Sequence, residues 1–97
     1  MTPKPPLEKD ITRQIRAYLN MRGIWHFKVW QGLGSQKGVA DIIGIYKGAP
    51  LAIEVKTAKG KLSEHQAKFL ARWVLEGGIA IVARSVEDVE QGLKIDN

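Results

Sequence analysis

Two apolar runs facing each other across a short turn constrain this chain more than any other feature. Asp41-Ile42-Ile43-Gly44-Ile45-Tyr46, entered through Ala40, is followed by Lys47-Gly48-Ala49-Pro50 and then by Leu51-Ala52-Ile53-Glu54-Val55-Lys56-Thr57. Strands over residues 40–46 and 51–57 joined by so short a connection must pair as an antiparallel hairpin, because a parallel crossover needs a dozen residues or more. The second of them is rich in aliphatic residues and suits the middle of a sheet. Glu54 and Lys56 interrupt it two residues apart, so they share one face while Ile53 and Val55 take the other. Counting outward from the turn brings Asp41 towards both. Charges on a covered face are partly desolvated, which is costly unless they are paired. An open, solvated face would remove that cost, and alternation alone does not choose between the two.

Two carboxylates and an ammonium that converge have an obvious chemistry. Carboxylate oxygens suit a hard divalent cation such as Mg²⁺, which keeps several waters and accepts substrate phosphate oxygens. A nearby lysine can orient or help deprotonate an attacking water and offset phosphate charge.

The remaining elements follow from periodicity and punctuation. Leu7, Ile11, Ile15, Tyr18, Leu19 and Arg22 have helical spacing, with Pro6 at the entry, Glu8 and Asp10 in the first turn and Gly23 as the stop. Residues 24–30 alternate Trp25, Phe27 and Val29 against His26 and Lys28, the pattern of a half-buried strand. Residues 31–38 carry three glycines and read as a loop. Ser63 with Gln66 forms a capping box ahead of a helix whose stripe is Phe69, Leu70, Trp73 and Val74, ending at Gly77-Gly78. Residues 79–83 form a short buried strand, and Ser85 with Asp88 starts a last helix to about Leu93. The order is helix, three strands, helix, strand and a short C-terminal helix: an α/β fold with a mixed sheet flanked by helices. At 97 residues this is one domain, with residues 1–6 a flexible proline-rich arm. Trp25, Trp30 and Trp73 are expected in the core, and His26 and His65 lack a partner at ligand spacing.

Composition narrows the partners. No cysteine is present, which removes disulfides, thiolate metal sites and cysteine nucleophiles, and fits a reducing cytoplasm. No apolar run reaches the length of a membrane span, and the first residues lack the apolar core of a secretory signal. Fifteen basic against ten acidic side chains leave a net charge of +5, which suggests nucleic acid as the polyanionic partner. No helix-turn-helix or zinc-finger pattern is present, so recognition is expected to rest on phosphates and shape. Gly32, Gly34 and Gly38 are not a dinucleotide fingerprint, since no helix follows them.

Gly38-Val39-Ala40-Asp41-Ile42-Ile43, then Ile53-Glu54-Val55-Lys56-Thr57, resembles the signature of the PD-(D/E)XK nuclease superfamily. Lys59-Gly60-Lys61-Leu62-Ser63 followed by Gln66 and Phe69 is similar to its virus-type replication–repair nuclease branch, the VRR-NUC domain, in stand-alone form. The resemblance runs from Glu8 to the strand at 79–83 and implies a restriction-endonuclease-like core. It implies that Asp41 and Glu54 ligate Mg²⁺ or Mn²⁺, with the Val55 backbone carbonyl as a third ligand. Lys56 would be the catalytic lysine, Glu8 would reach the metal through water, and Gln66 would support the site. Ala40 stands where the superfamily's eponymous proline would be, and alanine carries no chemistry to lose.

The activity implied is endonucleolytic hydrolysis of DNA phosphodiester bonds, by analogy on branched DNA such as four-way junctions. Ser35, Gln36, Lys37, Lys59 and Lys61 flank the site and suit phosphates. Trp30, at the mouth of the glycine loop, suits an interface or base stacking. A homodimer is expected, with Trp25, Phe27, Trp30 and the helix around Trp73 as interface material, because two symmetric cuts need two sites. No membrane partner and no small-molecule cofactor are expected, and an intracellular setting, virus-encoded forms included, fits. Simpler roles exist for the outlying residues: Glu8 favours the helix dipole, Gln66 completes a cap, and the lysines are loop charges. Two other classes fit the same residues: a non-catalytic DNA-binding module of this fold, and a nuclease subunit that acts on RNA or needs a targeting partner.

Overall fold

The computed structural model describes residues 3–30 and 36–95. Lys47 and Gly48 alone connect β2 (Ile42–Tyr46) to β3 (Ala49–Val55). Their φ angles are 50° and 82°, the type I′ arrangement whose twist matches the strands on either side. The third strand therefore begins two residues earlier than the sequence suggests and takes Pro50 into the hairpin. Pairing of β3 with β4 (Ile79–Ala83) starts only at Leu51, so the ladder misses no donor at the proline. The Pro50 carbonyl is met by the Trp73 indole N–H at 3.3 Å.

Four strands lie in the order β1-β2-β3-β4, with β1 being His26–Lys28. The first two pairings are antiparallel and β3–β4 is parallel, which requires the crossover made by α2 (Glu64–Leu75). On one sheet face, α1 (Glu8–Met21) and α3 (Val86–Leu93) pack Ile11, Ile15, Leu19 and Val89 onto Ile42, Leu51, Ile53 and Val55. Full burial of each such side chain contributes roughly 1.5–3 kcal/mol, so this layer holds the fold. The other face carries a smaller cluster: Ala40, Ala52 and Leu70, with Phe69, Trp73 and Val82 against them.

Both ends of α1 behave as the sequence indicates. The Asp10 carboxylate accepts the Leu7 N–H at 3.2 Å. At the other end Gly23, with φ 68°, lets the Ile24 N–H return to the Leu19 carbonyl at 2.9 Å. Ser85 caps α3 by accepting the Asp88 N–H at 3.3 Å.

The first strand departs from expectation. Only three residues pair, and Trp25 and Phe27 are 63% and 45% exposed rather than inward. They stand on the face of β1 that α2 would have to cover, whereas α2 lies over β3 and β4. Trp30 is 83% exposed, so neither it nor Trp25 belongs to the core. Trp73 is partly buried, stacked on Phe69 at 5.5 Å. Among the described residues no helix is long and apolar enough to cross a membrane. Residues 3–6 of the expected arm are exposed and have no regular structure, and residues 1–2 lie outside the described set.

Candidate active site

The open end of the hairpin brings together the three charges that the strands could not explain. Ile42 pairs with Ile53, and the next step outward places Asp41 beside Glu54. Asp41 is fixed twice: its carbonyl accepts the Val29 N–H at 2.8 Å, and its Oδ2 accepts the Val55 N–H at 2.7 Å. Glu54 and Lys56 lie on the α2 side of β3 and are 2% and 9% exposed. The Lys56 ammonium stands 4.0 Å from Glu54 Oε2, and its backbone N–H extends the parallel ladder to the Ala83 carbonyl at 3.0 Å. The face is covered, so the desolvation cost that an open face would avoid is present here.

Gln66 joins this group from the first turn of α2. Its Oε1 accepts the Ser63 N–H at 2.9 Å, and the Ser63 hydroxyl accepts the Gln66 N–H at 3.1 Å. That leaves Nε2 to donate to Glu54 Oε2 at 3.2 Å. The cap and the contact with Glu54 are therefore held by opposite ends of one amide, and together they fix which end is oxygen. Glu8, the first residue of α1, is exposed at the rim, and its negative charge is felt at Glu54.

Burial raises the Glu54 pKa from 4.5 to about 8, helped by a hydrogen bond with Asp41, then by Asp41's charge, and against the pull of Lys56. Without a cation, Glu54 keeps its proton at neutral pH. Its Oε1 is buried and has no hydrogen-bond partner, an arrangement a protein rarely leaves in place without a use. Among the described residues no group of three or more His, Cys, Asp or Glu side chains gathers to hold a metal ion. Mg²⁺ does not need such a group: one or two carboxylates suffice when waters and phosphate oxygens complete the shell. The donor set of Asp41, Glu54 and nearby backbone fits a hard cation of that kind.

The outlying residues divide. Gln36 and Lys37 are exposed and border the groove over His65 and Phe69, beside α2's first turn. Lys59 and Lys61 are exposed on the turn that follows Lys56, where the Gly60 N–H bonds the Thr57 carbonyl at 3.1 Å. Ser35 lies outside the described residues, as do Gly32 and Gly34.

Two contributors were missed from sequence. Gly38 has φ 82°, and a Cβ there would meet the His65 carbonyl oxygen at 2.3 Å. Only glycine lets the approach to Asp41 lie directly on the backbone of α2's first turn. Its signal was the glycine three residues ahead of Asp41, read only as part of a motif. Arg84 directly follows β4, and its guanidinium donates to the Thr57 carbonyl next to Lys56. A basic residue closing a strand parallel to β3 was the available clue.

Among known proteins, no family model and no curated protein matches the sequence. Solved structures do match the fold, which belongs to the restriction-endonuclease-like class of mixed sheets flanked by helices. Within that class the chain has the VRR-NUC fold. It is similar to a structure named "VRR_NUC domain" with a TM-score of 0.75 at 20% identity, over 93% of this chain and 97% of that one. It is similar also to a "VRR_NUC domain protein" with a TM-score of 0.78 at 19% identity, over 94% and 88%.

Proposed function

We propose that this chain is a metal-dependent endonuclease that hydrolyses phosphodiester bonds in DNA and acts on branched forms such as four-way junctions. The observation that carries the reading is the meeting of Asp41, Glu54 and Lys56, with a buried Glu54 oxygen left unpartnered. The fold it shares with VRR_NUC domain structures supports it. Asp41, Glu54 and the Val55 carbonyl would hold Mg²⁺ or Mn²⁺, with Glu8 reaching it through water. When bound, such a cation supplies positive charge that polarises a phosphoryl oxygen and acidifies water.

The chain's own groups do the positioning. The Val55 N–H holds one Asp41 oxygen. Gln66 does the same for Glu54. Lys56, kept beside Glu54 by the strand's two-residue period, offers its N–H groups to the attacking water and to the charge that develops on the phosphate. Lys37, Lys59 and Lys61, with Ser35 and Gln36, would take neighbouring phosphates.

A substrate panel tests this directly: four-way DNA, linear duplex and RNA, each with wild type and Asp41→Ala, in Mg²⁺ and in EDTA. Cleavage of the four-way DNA by wild type in Mg²⁺ alone is the expected result. Binding without cutting would make the chain a DNA-binding module, and faster cutting of RNA would move the substrate class.

A two-fold homodimer belongs to the same proposal. Trp25, Phe27 and Ile45 are exposed large apolar side chains on the stretch of sheet that α2 leaves uncovered, with Trp25 and Phe27 edge-to-face at 5.6 Å. Paired two-fold, such a patch would give a junction two sites in symmetric relation. Trp73 is stacked on Phe69 and bonded to the Pro50 carbonyl of its own chain, so it is less free to meet a partner than Trp25 and Phe27. Sedimentation at micromolar concentration should give the mass of two chains, and Trp25→Ser with Phe27→Ser should give one. A wild-type monomer, free and on a junction, would remove the dimer.

A further inference from the structure

We infer that the groove between α1 and β1 is a track for the phosphate backbone of a duplex arm leading away from the cut. This rests on the nuclease reading above for its substrate and extends it to a surface that reading does not use. The groove encloses about 460 Å³, and its walls include Lys9, Thr12, Arg13, Arg16, Asn20 and Lys28. Four of these are cations and none is acidic. Lys9, Arg13, Arg16 and Asn20 follow one another at helical spacing, so they form a row down one side of α1 about 16 Å long. Lys28 faces them from β1.

Counter-charges within the fold leave the row available. Asp10 takes one Arg13 nitrogen at 3.2 Å and is itself engaged by the Leu7 N–H. Arg16 reaches His26 through Nε at 3.5 Å, leaving its terminal nitrogens to the groove.

The chemistry of the walls selects the ligand. Cations with a threonine and an asparagine between them match phosphate and sugar oxygens. Among the described residues no aromatic side chain lines the groove, so it lacks the platform on which unpaired bases stack. It also lacks the apolar face that would enter a lipid surface. Both walls lead to the proposed cut. Lys9 follows Glu8, and Lys28 pairs with Ile42 and precedes Val29, whose N–H bonds Asp41. Lys9 and Lys28 thus adjoin, along the chain and across the β1–β2 pairing, residues of the proposed site.

The test is binding of a four-way junction in EDTA, followed by fluorescence anisotropy across a salt series. Arg13→Glu with Arg16→Glu is compared with Lys47→Glu with Lys94→Glu, which changes the net charge equally at positions outside the groove. The groove pair should weaken binding at least ~10-fold near 0.1 M salt and make the salt slope shallower by about 2. The control pair should leave both near wild type. Lys9→Glu with Lys28→Glu reaches the same groove without disturbing the Arg16–His26 contact and should repeat the loss. Wild-type affinity in both groove pairs would overturn the track, and an equal loss in the control pair would reduce it to bulk charge. Hydrolysis of bis(p-nitrophenyl) phosphate, too small to use the groove, should be unchanged in Arg13→Glu with Arg16→Glu. If wild type fails to hydrolyse it or any DNA, the nuclease reading fails while the binding result stands.

Discussion

Replacing Asp41 or Glu54 by alanine is expected to lower junction cleavage on the order of 10³-fold or more while the chain stays folded. Each change removes a carboxylate proposed to hold the cation, and each also relieves the charge interaction between Asp41 and Glu54. Asp41→Asn is the cleaner probe, because its amide oxygen can still accept the Val55 N–H that Asp41 accepts at 2.7 Å. Gln66→Ala should cost less, roughly 10- to 100-fold, as it orients Glu54 without supplying a ligand. Lys56→Ala should lower turnover with little change in Mn²⁺ affinity, since a protonated lysine cannot ligate. Initial rates under single-turnover conditions, with Mn²⁺ titrations alongside, would read all five. Wild-type rates in Asp41→Asn and Glu54→Ala would mean the reaction takes place elsewhere.

The second large effect concerns stability in the absence of metal. Glu54 titrates near pH 8 in the folded chain against 4.5 as a free side chain. The folded state therefore binds this proton more tightly than the unfolded state. Its contribution to stability is fully present below about pH 4.5 and is lost as pH rises through 8. Urea unfolding in EDTA should show roughly 3–4 kcal/mol less stability from this group at pH 8 than at pH 5. Glu54→Gln should flatten the profile and be the more stable protein at pH 8. Its carbonyl can still accept from Gln66, and its amide stays neutral across this pH range. An identical pH profile in wild type and variant would show that Glu54 is ionised without cost.

The candidate site was readable from sequence where its contacts are local. The turn fixes the counting that sets Asp41 against Glu54, and the two-residue period places Lys56 beside it. The capping box is a three-residue pattern, so Gln66 was visible before its second bond was. What escaped depends on how elements stack. The exposure of Trp25 and Phe27 follows from α2 lying over β3 and β4, a placement no alternation along β1 can report. Gly38 is required because a helix backbone passes within van der Waals reach of its Cα, and Arg84 meets Thr57 only because β4 is parallel to β3. The strand's earlier start at Ala49 is a smaller case: proline argues against a strand until its neighbour is known to pair later.

Gln66 has a consequence for which residues the chain can exchange. The usual partner of a serine in such a box is Gln or Glu, and for the helix alone they are interchangeable. Here they are not. Glutamate would still accept the Ser63 N–H, yet it would offer Glu54 no donor and would set a further negative charge beside two carboxylates. Asparagine, a methylene shorter, cannot span both partners. A single amide thus answers two unrelated demands, and a designer who improved the helix by charging its first turn at this residue would set a repulsive charge against Glu54. The safe places to stabilise α2 are positions such as Ala71, exposed and bound to neither task.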